Sequence, residues 1–214
     1  MKMLLGFFIM LVVCIFSPSC NAGVAKDYHL AMHRVRVLDS GYCTAYATGP
    51  HSIMIATHCL TDNDQEKDSL IIDPKTKNEH LTSIVNRFND LNDHEILNLR
   101  GIEFSEWIDI IKYRIPEQGD KVHFWGAPGA LYCKDCYSEG YFSGVANPPI
   151  DMVDLAADTR VLLFVMSGAP GDSGSLIFDE NNNIVGMLSI SVGGGFIGSF
   201  NLHFTPSEWS AARK

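Results

Sequence analysis

The stretch Ser167-Gly168-Ala169-Pro170-Gly171-Asp172-Ser173-Gly174-Ser175 runs directly into Leu176-Ile177-Phe178. A loop of small residues thus enters an apolar strand, with Ser173 held between two glycines. Glycine lets the backbone turn sharply and approach a substrate that a Cβ would obstruct. Such a turn can aim the N–H groups of Gly171 and Ser173 at one point, which is what a tetrahedral oxyanion requires. Alone, Gly-Asp-Ser-Gly also reads as an ordinary turn. The decision rests on finding a base.

That base lies upstream. Ile53-Met54-Ile55-Ala56-Thr57-His58-Cys59-Leu60 is an apolar strand ending in a histidine with a cysteine beside it. A serine hydroxyl is a weak nucleophile until a neighbour accepts its proton, and imidazole titrates in the range that suits the task. Two segments, Cys43-Thr44-Ala45-Tyr46 and Gly49-Pro50-His51-Ser52-Ile53-Met54-Ile55-Ala56-Thr57-His58-Cys59, precede Gly171-Asp172-Ser173-Gly174 in the chain. In that layout the sequence resembles the chymotrypsin/trypsin-like serine peptidases, over nearly all of the chain after its leader. The resemblance implies His58 as general base, Ser173 as nucleophile and a disulfide between Cys43 and Cys59. It also implies an all-β fold of two packed six-stranded antiparallel barrels, about 28–112 and about 119–204, with a short C-terminal helix over 206–212.

The third member of such a triad is a carboxylate that orients the histidine. In the family it precedes an alternating apolar strand, and Asp93-His94-Glu95-Ile96-Leu97-Asn98-Leu99 fits that register. His94 and Glu95 stand where the family has apolar and small residues. Asp93 is therefore the expected acid, with Asp90 as its rival.

The second half of the chain resembles bacterial and viral trypsin-like peptidases, the HtrA group among them, through Gly119-Asp120-Lys121-Val122, Gly126-Ala127-Pro128-Gly129 and Ser138 to Gly144. By the same resemblance Ser167 lies at the floor of the primary pocket, and Ser189, Ile190 and Ser191 bind an extended substrate as an added strand. A neutral Ser167 points to small or apolar side chains rather than to Arg or Lys. In relatives activated by cleavage, the aspartate matching Asp172 pairs with a new N-terminus. No Ile-Val-Gly-Gly segment exists here. The protein is therefore expected to be made active, with Gly23, freed by leader removal, as a candidate partner for Asp172.

Other features bound the function. Met1 to Ala22 has one lysine, an apolar run from Leu4 to Phe16 and small residues after it, the pattern of a secretory signal peptide. Cleavage after Ala22 is expected, leaving a peptidase domain over 23–214; lipid attachment at Cys20 and a retained membrane anchor are the alternatives. Six cysteines in an exported chain favour disulfides. Cys133-Lys134-Asp135-Cys136 could be half a zinc site or a redox pair, but no second pair of ligands exists, so a local disulfide is the better reading. The acidic run Thr61 to Asp68 lacks a full calcium-loop pattern and reads as a solvated loop. A net charge of −9 argues against nucleic acid as partner.

Gly171-Asp172-Ser173-Gly174-Ser175 lacks the final glycine of a lipase nucleophile elbow. The sequence thus points to a secreted or extracytoplasmic serine endopeptidase, monomeric, acting on protein or peptide substrates and needing no metal or other cofactor. The alternative is an inactive relative serving as a binding module, against which the presence of both His58 and Ser173 speaks.

Overall fold

In the computed structural model of the chain, the residues described are 28–37, 41–60, 69–73, 80–89, 92–129, 135–147, 159–193, 195–202 and 210–211. Six strands, β1 (Met32–Val37), β2 (Gly41–Gly49), β3 (Ser52–Ala56), β4 (Ser69–Asp73), β5 (His80–Asn89) and β6 (His94–Arg100), close into an antiparallel barrel. The order is β1-β2-β3-β6-β5-β4, and β1 pairs with both β2 and β4. Closure removes the exposed edges that an open sheet would leave.

The second sheet contains β7 (Lys121–Gly126), β8 (Cys136–Ala146), β9 (Val161–Val165), β10 (Leu176–Asp179), β11 (Ile184–Met187), β12 (Ile190–Gly193) and β13 (Phe196–Phe200). Its order is β11-β10-β7-β8-β9-β13-β12. Seven strands stand where six are expected from the resemblance. The extra one arises because β11 and β12, the two ends of that order, are successive pieces of one chain segment. The break falls at Leu188, whose N–H donates to the Ser175 carbonyl and whose carbonyl accepts from the Gly174 N–H, both at 2.8 Å. The segment leaves the ladder where it grips the Ser173 loop.

Strand patterning follows the period of two. In β7, Val122, Phe124 and Gly126 are buried while Lys121 is exposed and His123 and Trp125 are partly so. Strand β10 is buried throughout because its two faces serve different cores. Ile177 joins Phe124, Phe164 and Leu188 inside the second sheet. Phe178 faces the first barrel instead, stacking on Tyr28 and meeting the edge of Tyr46. The barrels thus share one continuous apolar contact.

Glu95, conspicuous in the sequence for interrupting an apolar strand, is fully buried. The neighbouring β5 supplies Arg87, which donates to both Glu95 carboxylate oxygens at 2.8 and 2.7 Å. A two-pronged pair of this kind satisfies a charge that burial alone would make costly. Of the helix expected over 206–212, only Ser210 and Ala211 are described, and both are helical; the remainder lies outside the described residues, as do residues 1–27 with the leader and Gly23.

Candidate active site

The pairing of β3 with β6 sets the first part of the site. Ala56, the last residue of β3, stands opposite His94, the first of β6. The residues just beyond them, Thr57-His58 and Asp93, are therefore neighbours. The Thr57 N–H donates to the Asp93 carbonyl at 3.1 Å, and the His58 N–H donates to Asp93 Oδ1 at 2.9 Å. His58 Nδ1 lies 2.8 Å from Oδ2 and 3.1 Å from Oδ1 of the same carboxylate. An ionised carboxylate can only accept, so Nδ1 carries the proton and Nε2 is left as the basic nitrogen. The Asp93 hydrogen bond raises the His58 pKa above its ordinary value, against the opposing effect of burial. The imidazole remains 44% exposed while the carboxylate is 13% exposed. The imidazole can be reached and the carboxylate is shielded.

Asp93 sits at φ 59°, a left-handed conformation that an aspartate adopts only where its surroundings hold it. The preceding residue provides that hold. Asn92 is buried, accepts from Thr159 Oγ1 at 2.6 Å and donates to the Asn201 carbonyl at 3.1 Å. Both partners belong to the second half of the chain. Asp90, the rival acid, lies outside the described residues.

On the other side of His58, Cys59 is bonded to Cys43, with Cα atoms 6.3 Å apart. Cys136 is also disulfide-bonded, and Cys133, its expected partner, lies outside the described residues. No group of three or more metal-ligating side chains gathers among the described residues.

Ser173 is half-buried in the loop between β9 and β10. The carbonyls around it are all engaged. Pro170 C=O accepts from Gly129 N–H at 2.9 Å, Asp172 C=O from Ser175 N–H at 2.8 Å, and Ser173 C=O from Thr44 N–H at 2.8 Å. A trans peptide points its N–H opposite to its carbonyl, and no cis peptide occurs among the described residues. Fixing the carbonyls of Pro170 and Asp172 therefore turns the N–H groups of Gly171 and Ser173 the other way. Neither of these two N–H groups has a hydrogen-bond partner among the described residues, whereas those of Asp172, Gly174 and Ser175 are all used within the fold.

The glycines here have no substitute. Gly171 has φ +103°, and a Cβ on it would run into the Gly129 backbone nitrogen. Gly174 has φ +88°, and its Cβ would overlap the Thr44 carbonyl and lie 3.3 Å from the nitrogen of Ala56. The residue after Ser173 is thus pressed against the end of β3, two positions before His58. Ser173 is one residue and His58 two residues from this contact, and no hydrogen bond joins their side chains. In an uncomplexed site such bonds are often long and close only when substrate arrives.

The remaining sequence candidates are dispersed around this point. Ser167 is exposed, with its carbonyl held by Ser138 Oγ at 2.8 Å. Ser189 is nearly buried and its N–H donates to the Gly198 carbonyl at 3.0 Å. Ile190 and Ser191 pair with Gly198 and Ile197 in β12, the last strand of its sheet. An end strand leaves backbone groups available to an incoming chain. Sequence reasoning passed over Thr44 and Asn92, two buried polar residues that reach from one barrel to the other.

No protein-family model and no curated protein sequence matches the chain. Solved structures do. The inactive form of Rv3671c protease superposes with a TM-score of 0.65 at 14% identity, covering 86% of this chain and 88% of that one. An inactive mutant form of Rv3671c from M. tuberculosis H37Rv gives 0.63 at 15% identity, over 89% and 94% of the two chains. The apo MamO protease domain from Magnetospirillum magneticum gives 0.61 at 12% identity, over 82% and 92%. The fold is the chymotrypsin-like one, shared with trypsin-like serine protease domains.

Proposed function

We propose that this protein is a secreted serine endopeptidase working through His58, Asp93 and Ser173. The observation that carries the proposal is the pairing of two features at one contact between the barrels. One is a histidine whose basic nitrogen is freed by a carboxylate on the other. The second is a serine turn with two unbonded N–H groups. Ser173 attacks the peptide carbonyl as His58 Nε2 takes its proton, and the N–H groups of Gly171 and Ser173 receive the oxyanion. His58 then protonates the leaving amine, and water, activated by the same imidazole, releases the acyl group. An extended substrate adds to the free side of Ser189, Ile190 and Ser191, with its side chain directed toward Ser167.

Extracytoplasmic placement is supported by the Cys43–Cys59 disulfide, since such bonds persist in oxidising compartments. No helix among the described residues is long and apolar enough to cross a membrane.

The test is covalent labelling with a fluorophosphonate probe. The oxidised wild-type chain is expected to label, and Ser173→Ala and His58→Ala are expected not to. Turnover of a peptide substrate should fall by about 10⁶-fold in either variant. A folded wild-type chain that takes up no probe would replace this reading with that of a binding module.

A further inference from the structure

Thr44 is fully buried near the middle of β2, in the first barrel, yet its bonds lead to the second. Its hydroxyl donates to the Gly171 carbonyl at 2.9 Å and accepts from the Ala127 N–H at 3.0 Å. Its backbone N–H donates to the Ser173 carbonyl at 2.8 Å. Four consecutive carbonyls, from Pro170 to Ser173, are therefore each held by a separate donor, and Thr44 supplies two of the four. It acts on a third at one remove. By fixing Ala127 it locates the segment whose Gly129 N–H holds Pro170.

This matters because the turn is built on glycine. A residue without Cβ moves among several backbone conformations at little cost, so a peptide beside Gly171 keeps one orientation only if its carbonyl is anchored. A hydroxyl has one proton to give and lone pairs to receive with, so one threonine can anchor both the Gly171 carbonyl and the Ala127 N–H. Valine has the same shape and can anchor neither. Alternation in β2 leaves the neighbouring Cys43 to form the disulfide that ends beside His58. The strand that fixes the turn is thus tied to the strand end that carries the base.

We propose that Thr44 is the positioning residue of the oxyanion hole: across the barrel interface it fixes the peptides that follow Gly171 and Ser173, and with them the backbone that joins the two N–H groups. The proposal rests on Ser173 being the nucleophile.

The experiment compares wild type with Thr44→Val, which removes only the hydroxyl, and Thr44→Ser, which keeps it. Two measurements are made: steady-state kinetics on a peptide ester with binding of a peptide boronate, and the amide NMR resonances of Gly171 and Ser173 in the free protein. Thr44→Val should lower kcat by about 10²-fold, the cost of losing one oxyanion donor, and weaken boronate binding in parallel. KM should stay near its wild-type value. Thr44→Ser should restore kcat, and only in Thr44→Val should the two amide resonances move or broaden. Thr44→Ala reads the same split should the valine variant not fold.

The proposal is overturned if the hydroxyl-free variants keep wild-type kcat and boronate affinity. It is equally overturned if Thr44→Ser is as impaired as Thr44→Val, because the hydroxyl would then not be the cause. Should the wild-type chain hydrolyse nothing, the peptidase reading fails on its own. The amide resonances still decide whether Thr44 orders the turn, and unchanged resonances in Thr44→Val reject it.

Discussion

His58 and Asp93 are joined within one barrel, by hydrogen bonds to a single carboxylate and by a strand pairing that runs up to them. The Ser173 turn is held differently. Two of its carbonyls are bound by Thr44 of the opposite barrel, and the glycine after Ser173 packs on the end of β3. The His58–Asp93 hydrogen bonds lie within one barrel, with Asn92 bracing the Asp93 backbone against the second half of the chain. The Ser173 turn takes two of its carbonyl anchors directly from the opposite barrel. A change at the Asp93 carboxylate should therefore disable proton transfer and leave the turn intact. A change at the Thr44 hydroxyl should loosen the turn and spare the His58–Asp93 pair.

The largest effect that separates the two halves comes from Asp93→Asn. The side chain keeps its shape, but an amide no longer selects the Nδ1–H tautomer of His58, and kcat should fall by about 10⁴-fold. Asp93 raises the His58 pKa through their hydrogen bond. The proposed activity requires the neutral imidazole, so the acidic limb of the wild-type pH–rate profile should lie at higher pH than an unperturbed histidine would give. In Asp93→Asn that limb should shift to lower pH. The boronate affinity of the residual site should change far less than kcat, because the turn is untouched. Equal losses in both would show that the halves are not independent.

Next in size is the disulfide. Cys43 and Cys59 are 16 residues apart, and closing a loop of that length is worth about 3 kcal/mol in the unfolded-chain account. A Cys43→Ala/Cys59→Ala double variant should lose about that much in denaturant unfolding. Because the bond joins the neighbour of Thr44 to the neighbour of His58, this is the one lesion expected to disturb both halves together.

Much of this arrangement is legible in the sequence, and the limit is physical. The glycine-flanked Ser173 and the strand ending at His58-Cys59 each rest on neighbours close in the chain. They are therefore readable, and the resemblance they carry implies the all-β class. Asp93 could be placed by register, but its left-handed backbone could not, since that depends on Asn92 reaching Thr159 and Asn201. Glu95 looked like a departure until Arg87 appeared beside it on β5. Thr44 and Gly171 are 127 residues apart. No local pattern marks a threonine whose partners are chosen by the docking of two barrels. The break at Leu188 has the same origin, because both its backbone groups are diverted to the Ser173 loop.

Asn92 offers a smaller test of the interface. Asn92→Ala strands the Thr159 hydroxyl and the Asn201 carbonyl, at a cost of about 1–3 kcal/mol. Its signature should be partial loss of kcat with a normal disulfide, because the anchor of Asp93 is weakened while the carboxylate remains.

The smallest and most selective effect concerns Asp172, which shares the turn with Gly171 and Ser173. Its side chain is buried, with Oδ2 accepting from the Ala169 N–H at 2.8 Å and Oδ1 without a partner among the described residues. Burial pushes its pKa up to about 6, the Ala169 hydrogen bond working in the opposite direction. A carboxyl with a raised pKa favours its neutral form in the folded chain. Its contribution to stability is then fully present below the unfolded-state pKa near 4 and is lost as pH rises through 6. Asparagine keeps the acceptor for Ala169 and carries no charge. Asp172→Asn should therefore match wild type near pH 4 and exceed it at pH 8 by on the order of 1 kcal/mol. Urea unfolding at the two pH values measures the difference. A variant less stable than wild type at pH 8 would mean that a cation, such as a freed N-terminus, pairs with Asp172. In that event the turn would answer to a charge as well as to the grip of Thr44.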